Sequence, residues 1–444
     1  MNRTDGRRTY LWRAALGIAL YLLLALAPLS LMLLAPLQPL REPLREFAVA
    51  LAFGAAGILG MQFALSARLR RLKAPYGIDA VFYFHRRMAL VALALVIAHP
   101  LLLFVVTPER VALLNVLTAP WPARYAVVAV VTIATLVALS VWRARFHISY
   151  ETWRFFHGIL AVVALVLVSL HIVGAGIYTV DWKLPAFLIY PAIWAGFFVY
   201  ARVGNPLRKL RHPYRVAAVR QETPDVWTLS LRPEGHPGIT FRPGQFMWIT
   251  LGRSPFSLEE HPFSFSSSPL TGDGGFDITV KELGDFTASI GQHQPGTVAY
   301  VEGPFGAFTT DRYPASRYVF VAGGIGITPV MSILRAAAGS GDRTPMILVY
   351  GAKTREDLAF AAELDDLSEQ LDLTITYVLE EPPEEWEGAS GFITREVLEA
   401  AIERPGEHDY FTCGPPAMTD VVEGVLMEME VDRKRLHYER FEFV

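Results

Sequence analysis

Hydrophobic positions are spread unevenly along this chain. Up to about residue 204 they form long runs broken only by short polar stretches. Beyond that they alternate with polar residues over a few positions at a time. Six runs, near 11–34, 47–66, 81–106, 125–141, 153–177 and 184–203, come close to the roughly 20 apolar residues that a bilayer-crossing helix needs. They predict a multidomain membrane protein that begins with a six-helix all-α transmembrane bundle. The first run is interrupted by proline and followed by no small-residue cleavage site, so it reads as a retained helix and not a signal peptide. From Pro213 the period falls to two, with strands expected at 214–219, 226–231, 246–251 and 276–282 between Pro-Gly and Gly-Gly turns. Short strands at that spacing predict a small antiparallel β-barrel. From Tyr318 the order strand, glycine turn, helix, strand predicts an α/β nucleotide-binding domain. The expected boundaries are 1–210, 211–312 and 313–444.

Composition sharpens the division. Of 444 residues, 52% are hydrophobic and 19% charged, where a soluble domain has about 25% charged. Disorder is excluded, as is a basic nucleic-acid-binding chain, so no nucleic-acid partner is expected. The net charge of −3 conceals +12 over residues 1–204 and −15 over the rest. The basic residues of the apolar half gather at alternate ends of the runs. One set holds Arg3, Arg7, Arg8 and Arg13, then Arg68, Arg70, Arg71 and Lys73, then Arg143, Arg145 and Arg154, then Arg202, Arg208, Lys209 and Arg211. The other holds Arg41, Arg45, Arg110, Arg124 and Lys183. Fifteen against five places both termini in the cytosol, as an even number of spans requires. The lone Cys413 excludes an intrachain disulfide and a thiolate-held cluster.

Ionisable residues inside spans are costly and functional by default. Run three carries His85 and His99, and run five carries His157 and His171, each pair 14 residues apart. Fourteen residues of α-helix turn through about 1400° and rise about 21 Å, so each pair shares a face and covers most of the roughly 30 Å hydrocarbon core. Both runs enter from the same side. His85 and His157 therefore sit at one depth, His99 and His171 at another. Two facing helices would present two stacked His–His clamps, the axial ligation of two haems. No Cys-x-x-Cys-His is present, so the haems would be b-type. Two imidazoles per iron leave no open position and suit electron transfer.

Three motifs in the acidic half carry chemistry. His261-Pro262-Phe263-Ser264-Phe265-Ser266-Ser267 and Lys281-Glu282-Leu283-Gly284-Asp285-Phe286-Thr287 offer hydroxyls, a lysine and turn amides to a pyrophosphate. Val321-Ala322-Gly323-Gly324-Ile325-Gly326-Ile327-Thr328-Pro329 runs from a strand through a glycine turn into a helix start, a phosphate-binding arrangement. Cys413-Gly414-Pro415-Pro416 follows a strand, where the second half of such a fold lines the nicotinamide pocket. Lys353 and Arg355 follow strand 347–350 and suit a 2′-phosphate, favouring NADPH.

Together these residues resemble the prokaryotic NADPH oxidase family, in which a ferric-reductase-type membrane domain is joined to a ferredoxin–NADP reductase-like dehydrogenase. The resemblance covers nearly the whole chain, with the His pairs, His-Pro-Phe-Ser, Gly-Gly-Ile-Gly-Ile-Thr-Pro and Cys-Gly-Pro-Pro in the family's order. It implies that His261, Pro262, Phe263 and Ser264 contact FAD, with Lys281, Gly284 and Thr287 near its phosphates. It implies that Gly323, Gly324, Gly326, Thr328 and Pro329 form the NADPH phosphate turn, and that Cys413, Gly414 and Pro415 lie by the nicotinamide. Family members end in Glu-x-aromatic, the ring covering the flavin; Glu439-Arg440-Phe441 fits, and Phe443 is the alternative. Position 264 is Ser where many members have Thr.

The expected cofactors are FAD, NADPH and two b-type haems. The expected path runs from NADPH through FAD, the haem of His85 and His157, and the haem of His99 and His171 to an outer acceptor, with O2 giving superoxide as the leading case. The expected location is a bacterial cytoplasmic membrane, with the lipid bilayer as its surroundings. Neither an EF-hand loop nor a proline-rich docking tail is visible, so no regulatory subunit is indicated. The rivals are a ferric-chelate reductase, an electron-delivery subunit for a quinone or an external protein, and a metal transporter using the four histidines.

Overall fold

The computed structural model describes residues 3–33, 42–68 and 78–439. Among the described residues, six helical stretches are long and apolar enough to cross a membrane. Their main helices are α1 Arg3–Leu26, α2 Pro43–Ser66, α3 Ile78–Val106, α4 Trp121–Val141, α5 Tyr150–Ala175 and α6 Lys183–Val199, the first stretch running to Met32 and the last to Leu210. Local chemistry sets their ends. The first apolar run does not stay one helix: α1 stops at Leu26 and a 3-10 turn follows over Ala27–Leu29, where Pro28 cannot continue the hydrogen-bond ladder. Helix α5 begins three residues before the expected start because Ser149 caps it, its side chain accepting from the Thr152 N–H. It ends at Gly176, whose φ of 63° is the left-handed stop that favours glycine. Helix α2 carries a stripe of small residues. A Cβ on Gly57 would fall 1.8 Å from the Ala25 carbonyl oxygen, and one on Gly60 would fall 1.9 Å from the Trp194 ring. Glycine there lets α1 and α6 approach closely, the usual way that spans pack without a hydrophobic driving force. Residues Arg7–Pro206 form one compact unit.

The second unit holds Leu207–Val444 together with Met1–Gly6. Its described part contains two sheets. The first is antiparallel in the order β4-β3-β6-β1-β2-β5, from β1 Tyr214–Thr223, β2 Val226–Pro233, β3 Phe246–Leu251, β4 His261–Ser264, β5 Phe276–Lys281 and β6 Val298–Phe305. Its two edges meet, since Phe265 just beyond β4 bridges to Ile278 of β5. The inward residues Val216, Leu229, Leu231, Met247, Ile249, Phe265 and Ile278 form its core. The second sheet is parallel in the order β10-β9-β8-β7-β11-β12. It comprises β7 Tyr318–Gly323, β8 Met346–Ala352, β9 Leu373–Leu379, β10 Ala389–Ser390, β11 Asp409–Cys413 and β12 Leu436–Glu439. Strand β7 is buried along its whole length, as expected of a strand covered by helices on both faces. The covering helices include α7 Ile327–Ser340, α8 Ala361–Gln370 and α9 Pro416–Glu428. Strand order reverses between β7 and β11, and a doubly wound sheet binds its ligand at the carboxyl ends of the strands at such a switch point.

Candidate functional site

In the membrane unit the histidines of α3 and α5 come together. The His85 and His157 rings have centroids 6.4 Å apart. Two imidazoles holding one metal ion between them, at nitrogen–metal distances of about 2 Å, have centroids roughly 6–6.5 Å apart. All four histidines are half-buried. His99 lies within electrostatic reach of His171.

The hydrogen bonds of these rings set their tautomers. His99 Nδ1 lies 2.8 Å from the Ala48 carbonyl, and His171 Nδ1 lies 2.9 Å from the Pro122 carbonyl. A carbonyl only accepts, so Nδ1 carries the proton in each and Nε2 keeps a lone pair. Ser140 does the same for His157. Its Oγ donates its one proton to the Leu136 carbonyl at 2.7 Å, accepts from Trp153 Nε1 at 3.2 Å, and lies 3.1 Å from His157 Nδ1. Outer-shell partners of this kind orient metal-ligating histidines. Among the described residues no group of three or more His, Cys, Asp or Glu gathers as a free-ion site. A two-imidazole site is the kind that a macrocycle with four nitrogens of its own completes. If His157 ligates a haem, Ser140→Ala is expected to weaken its retention by roughly 10–100-fold, read as haem per protein after purification. Unchanged haem content would contradict this role.

At the bundle end that holds His99 and His171, the Tyr178 hydroxyl donates to the Glu46 carboxylate. Thr179 Oγ1 donates to the Ile172 carbonyl at 3.2 Å. The first bond ties the loop after α5 to the start of α2, and the second ties it back to the end of α5.

In the antiparallel sheet, His261 and Phe263 project from the same side of β4. The ring of Phe286 stacks on His261 with centroids 3.8 Å apart and lies 6.1 Å from Phe263. Ser264, Ser266 and Ser267 are buried. Thr287 Oγ1 accepts from the Leu283 and Gly284 N–H groups at 2.8 and 2.9 Å and donates to the Gly284 carbonyl at 2.9 Å. The turn after β5 is thus built around Thr287. Lys281 Nζ lies 3.1 Å from Asp225 Oδ2.

The glycines at the switch point have distinct reasons. A Cβ on Gly326 would fall 2.1 Å from the Cys413 carbonyl oxygen, and one on Gly323 would fall 2.5 Å from Met418 Sδ. Gly324, at φ 52°, faces open space. Gly326 lets the β7 turn press against the end of β11, Gly323 lets it approach the start of α9 at Pro415 and Met418, and Gly324 gives backbone access to a ligand. Thr328 Oγ1 donates to the Ile325 carbonyl at 2.6 Å, and Pro329 sits in the buried first turn of α7. A Cβ on Gly414 would fall 3.1 Å from Gly323 N, so the Cys413–Pro415 turn lies directly against the glycine turn. Gly326→Ala is expected to cost about 1–3 kcal/mol of distortion and to weaken nucleotide binding by roughly tenfold or more. Gly424→Ala, in α9 with nothing near its Cβ position, is the neutral control in the same calorimetric titration.

Cys413 pairs in register with Glu439 across β11 and β12. Burial pushes the Cys413 thiol well up, and the Glu439 carboxylate adds to the shift. The thiol therefore stays protonated at neutral pH, and its contribution to stability is present below the ordinary thiol range and lost only as pH rises through the raised value. Glu439 is buried, and a Cβ on Gly306 would fall 2.8 Å from its Oε1. The last described strand thereby reaches back to the antiparallel sheet. Phe441 and Phe443 lie outside the described residues. Lys353 and Arg355 are exposed beyond the end of β8.

Several contacts have no motif behind them. Lys209 is buried between Glu260 and Glu302, at 2.5 and 3.4 Å, and Glu260 immediately precedes His261. Ser332 Oγ of α7 donates to the Ser267 carbonyl at 2.7 Å. Arg335 donates to the Ser266 carbonyl at 2.6 Å while holding Glu363 with two further bonds of 2.6 Å. These bonds clamp the segment after β4 onto the nucleotide-side helix.

Residues 51–168 match the family described as ferric reductase like transmembrane component, residues 225–307 an FAD-binding domain, and residues 320–424 an oxidoreductase NAD-binding domain. The glycine betaine monooxygenase reductase subunit of Chromohalobacter salexigens is 32% identical over 238 residues, 52% of this chain; the match spans 64% of that protein's length. Ferredoxin–NADP reductase B of Sorangium cellulosum is 30% identical over 238 residues, 51% of this chain and 96% of that one. A solved structure of the ferredoxin reductase in carbazole 1,9a-dioxygenase is 26% identical, covers 52% of this chain and 69% of its own, and superposes with a TM-score of 0.46. By these matches the chain belongs to the ferredoxin–NADP reductase-like family of FAD- and NAD(P)H-binding oxidoreductases, joined to a ferric-reductase-like membrane domain in the architecture of the NADPH oxidase family.

Proposed function

We propose that this chain passes electrons from cytosolic NADPH through FAD and two bis-His b-haems to an acceptor at the outer face of a bacterial cytoplasmic membrane, with O2, giving superoxide, as the leading acceptor. When bound, FAD converts the two electrons of a hydride into single electrons that haem iron can relay. The observation that carries this reading is the set of imidazoles on α3 and α5: His85 and His157 stand at a two-ligand spacing, and three of the four rings have Nδ1 held by an oxygen partner.

The chain's own residues do the rest. His85 and His157 would hold one haem, and His99 and His171 the other, each through Nε2. Ser140, the Ala48 carbonyl and the Pro122 carbonyl keep the Nε2 atoms of His157, His99 and His171 unprotonated and aimed. His261, Pro262, Phe263 and Ser264 would bind the flavin, with Lys281, Gly284 and Thr287 toward its phosphates. Gly323, Gly324, Gly326, Thr328 and Pro329 would receive the NADPH phosphates at the start of α7, and Lys353 and Arg355 the 2′-phosphate. Cys413, Gly414 and Pro415 would border the nicotinamide, and Cys413, kept as a neutral thiol by burial, would border it without adding charge. Glu439 and Phe441 would complete the flavin side.

The match of residues 51–168 to ferric reductase like transmembrane components favours a second acceptor, a ferric chelate. The two are separated by giving the purified protein NADPH in air, with and without a ferric chelate. Two superoxide formed per NADPH consumed, as a signal that superoxide dismutase removes, is the expected result. Slow oxidation in air that a ferric chelate accelerates more than tenfold would replace O2 by the chelate.

A further inference from the structure

In a doubly wound sheet the end of the strand beside the glycine-turn strand faces the adenosine ribose, and a carboxylate there takes the 2′-hydroxyl while a cation there takes a 2′-phosphate. Here that strand is β8, parallel to β7, and Lys353-Thr354-Arg355 follow it. The loop after β9 is acidic, with Glu380, Glu381, Glu384, Glu385 and Glu387 close together. Backbone pairing continues past both strands: the Glu380 N–H donates to the Ala352 carbonyl at 3.0 Å, and the Glu381 N–H donates to the Lys353 carbonyl at 2.8 Å. This pairing fixes Glu381 beside Lys353, with Oε1 3.4 Å from Nζ. Trp386 anchors the loop, its Nε1–H donating to the Ala389 carbonyl at 3.0 Å and its ring packing on the core. Thr354 is engaged locally, its N–H and Oγ1 both donating to Asp357 Oδ2.

The strand end therefore presents both kinds of recognition group at once. A 2′-phosphate carries nearly two negative charges at neutral pH. It would gain Lys353 only by displacing Glu381, and would then sit beside that carboxylate. The exposed Lys353–Glu381 pair is weak enough to open, so displacement is feasible but the repulsion remains. A neutral 2′-hydroxyl meets no such conflict and can donate to Glu381.

We propose that Glu381 is a specificity-determining residue that competes with the 2′-phosphate for Lys353 and keeps the nucleotide site open to NADH as well as NADPH. This rests on the nucleotide-site reading above. The test is calorimetric titration of the purified full-length protein, loaded with its cofactors, with ADP-ribose and with 2′-phospho-ADP-ribose. Wild-type dissociation constants are expected within about tenfold of each other. Glu381→Gln is expected to shift their ratio about five- to tenfold toward the phosphorylated ligand, and Lys353→Gln to shift it the other way by a similar factor. Glu384→Gln, which removes a loop charge outside the Lys353–Glu381 ion pair, is expected to move the ratio less than twofold. An unchanged ratio in Glu381→Gln, or wild-type discrimination above about a hundredfold, would overturn the role of Glu381. Failure of both ligands to bind would overturn the nucleotide-site reading and the proposal with it.

Discussion

Replacing His99 with alanine is expected to abolish delivery of electrons to the outer acceptor while leaving NADPH-driven flavin reduction intact. His99 is held from behind by the Ala48 carbonyl, so its Nε2 is the only ring nitrogen left for iron. Loss of an outer-shell partner alone typically costs 10–100-fold, and loss of the ligand itself is expected to cost more than about 100-fold in acceptor reduction. Haem content should fall from two per flavin toward one, with the haem of His85 and His157 still reducible. The same substitution at His157 should block every step beyond the flavin. Stopped-flow absorbance separates the flavin from the haem signals. Unaltered superoxide formation in His99→Ala would remove the histidine pairs from the electron path.

Lys209→Met is expected to produce a large loss of stability in the unit that holds Leu207–Val444. Lys209, Glu260 and Glu302 are all buried, and the lysine stands between the two carboxylates at 2.5 and 3.4 Å. Removing it leaves two buried carboxylates without this cation, a defect of about 3–5 kcal/mol. In a unit of this size that corresponds to a melting temperature lower by roughly 10 °C. Because Glu260 immediately precedes β4 within the segment that matches an FAD-binding domain, flavin is expected to dissociate earlier in the melt as well. A companion variant with Lys209→Met, Glu260→Gln and Glu302→Gln removes the charges together and is expected to recover much of the loss, since a buried ion set costs most when only one partner is deleted. Intrinsic fluorescence and flavin release followed on the same thermal ramp check both statements. A melting temperature within 2 °C of wild type in Lys209→Met would contradict them.

The architecture was readable because it rests on hydrophobic period. Six apolar runs became six candidate membrane spans among the described residues, and the change at Pro213 marks where β1 begins one residue later. The His pairs were readable for the same reason, since a 14-residue spacing fixes their shared face wherever α3 and α5 are helical. The glycine turn was visible as a motif, but the separate duties of Gly323, Gly324 and Gly326 depend on which backbone each one meets. Other parts of the site had no signal to read. Ala48 and Pro122 act through carbonyl groups that any residue carries. Ser140 lies 17 positions before His157, and only the packing of α4 on α5 brings it to that ring. Lys209, Glu260 and Glu302 come from three separated segments and resemble ordinary surface charges until the fold buries them. Lys353 was recognisable as a cation beyond a strand, but its carboxylate partner Glu381 is placed by the pairing of β8 with β9.

The central claim is that two histidine-held haems accept electrons that enter from the nucleotide. It is tested most directly by the absorbance spectrum of the purified protein under nitrogen, before and after addition of NADPH. Two haems per flavin with a bis-imidazole b-type spectrum, both reduced by NADPH at a rate that depends on bound FAD, are the expected result. Protein that retains no haem after expression with haem supplied, or haem that stays oxidised while NADPH bleaches the flavin, would contradict it.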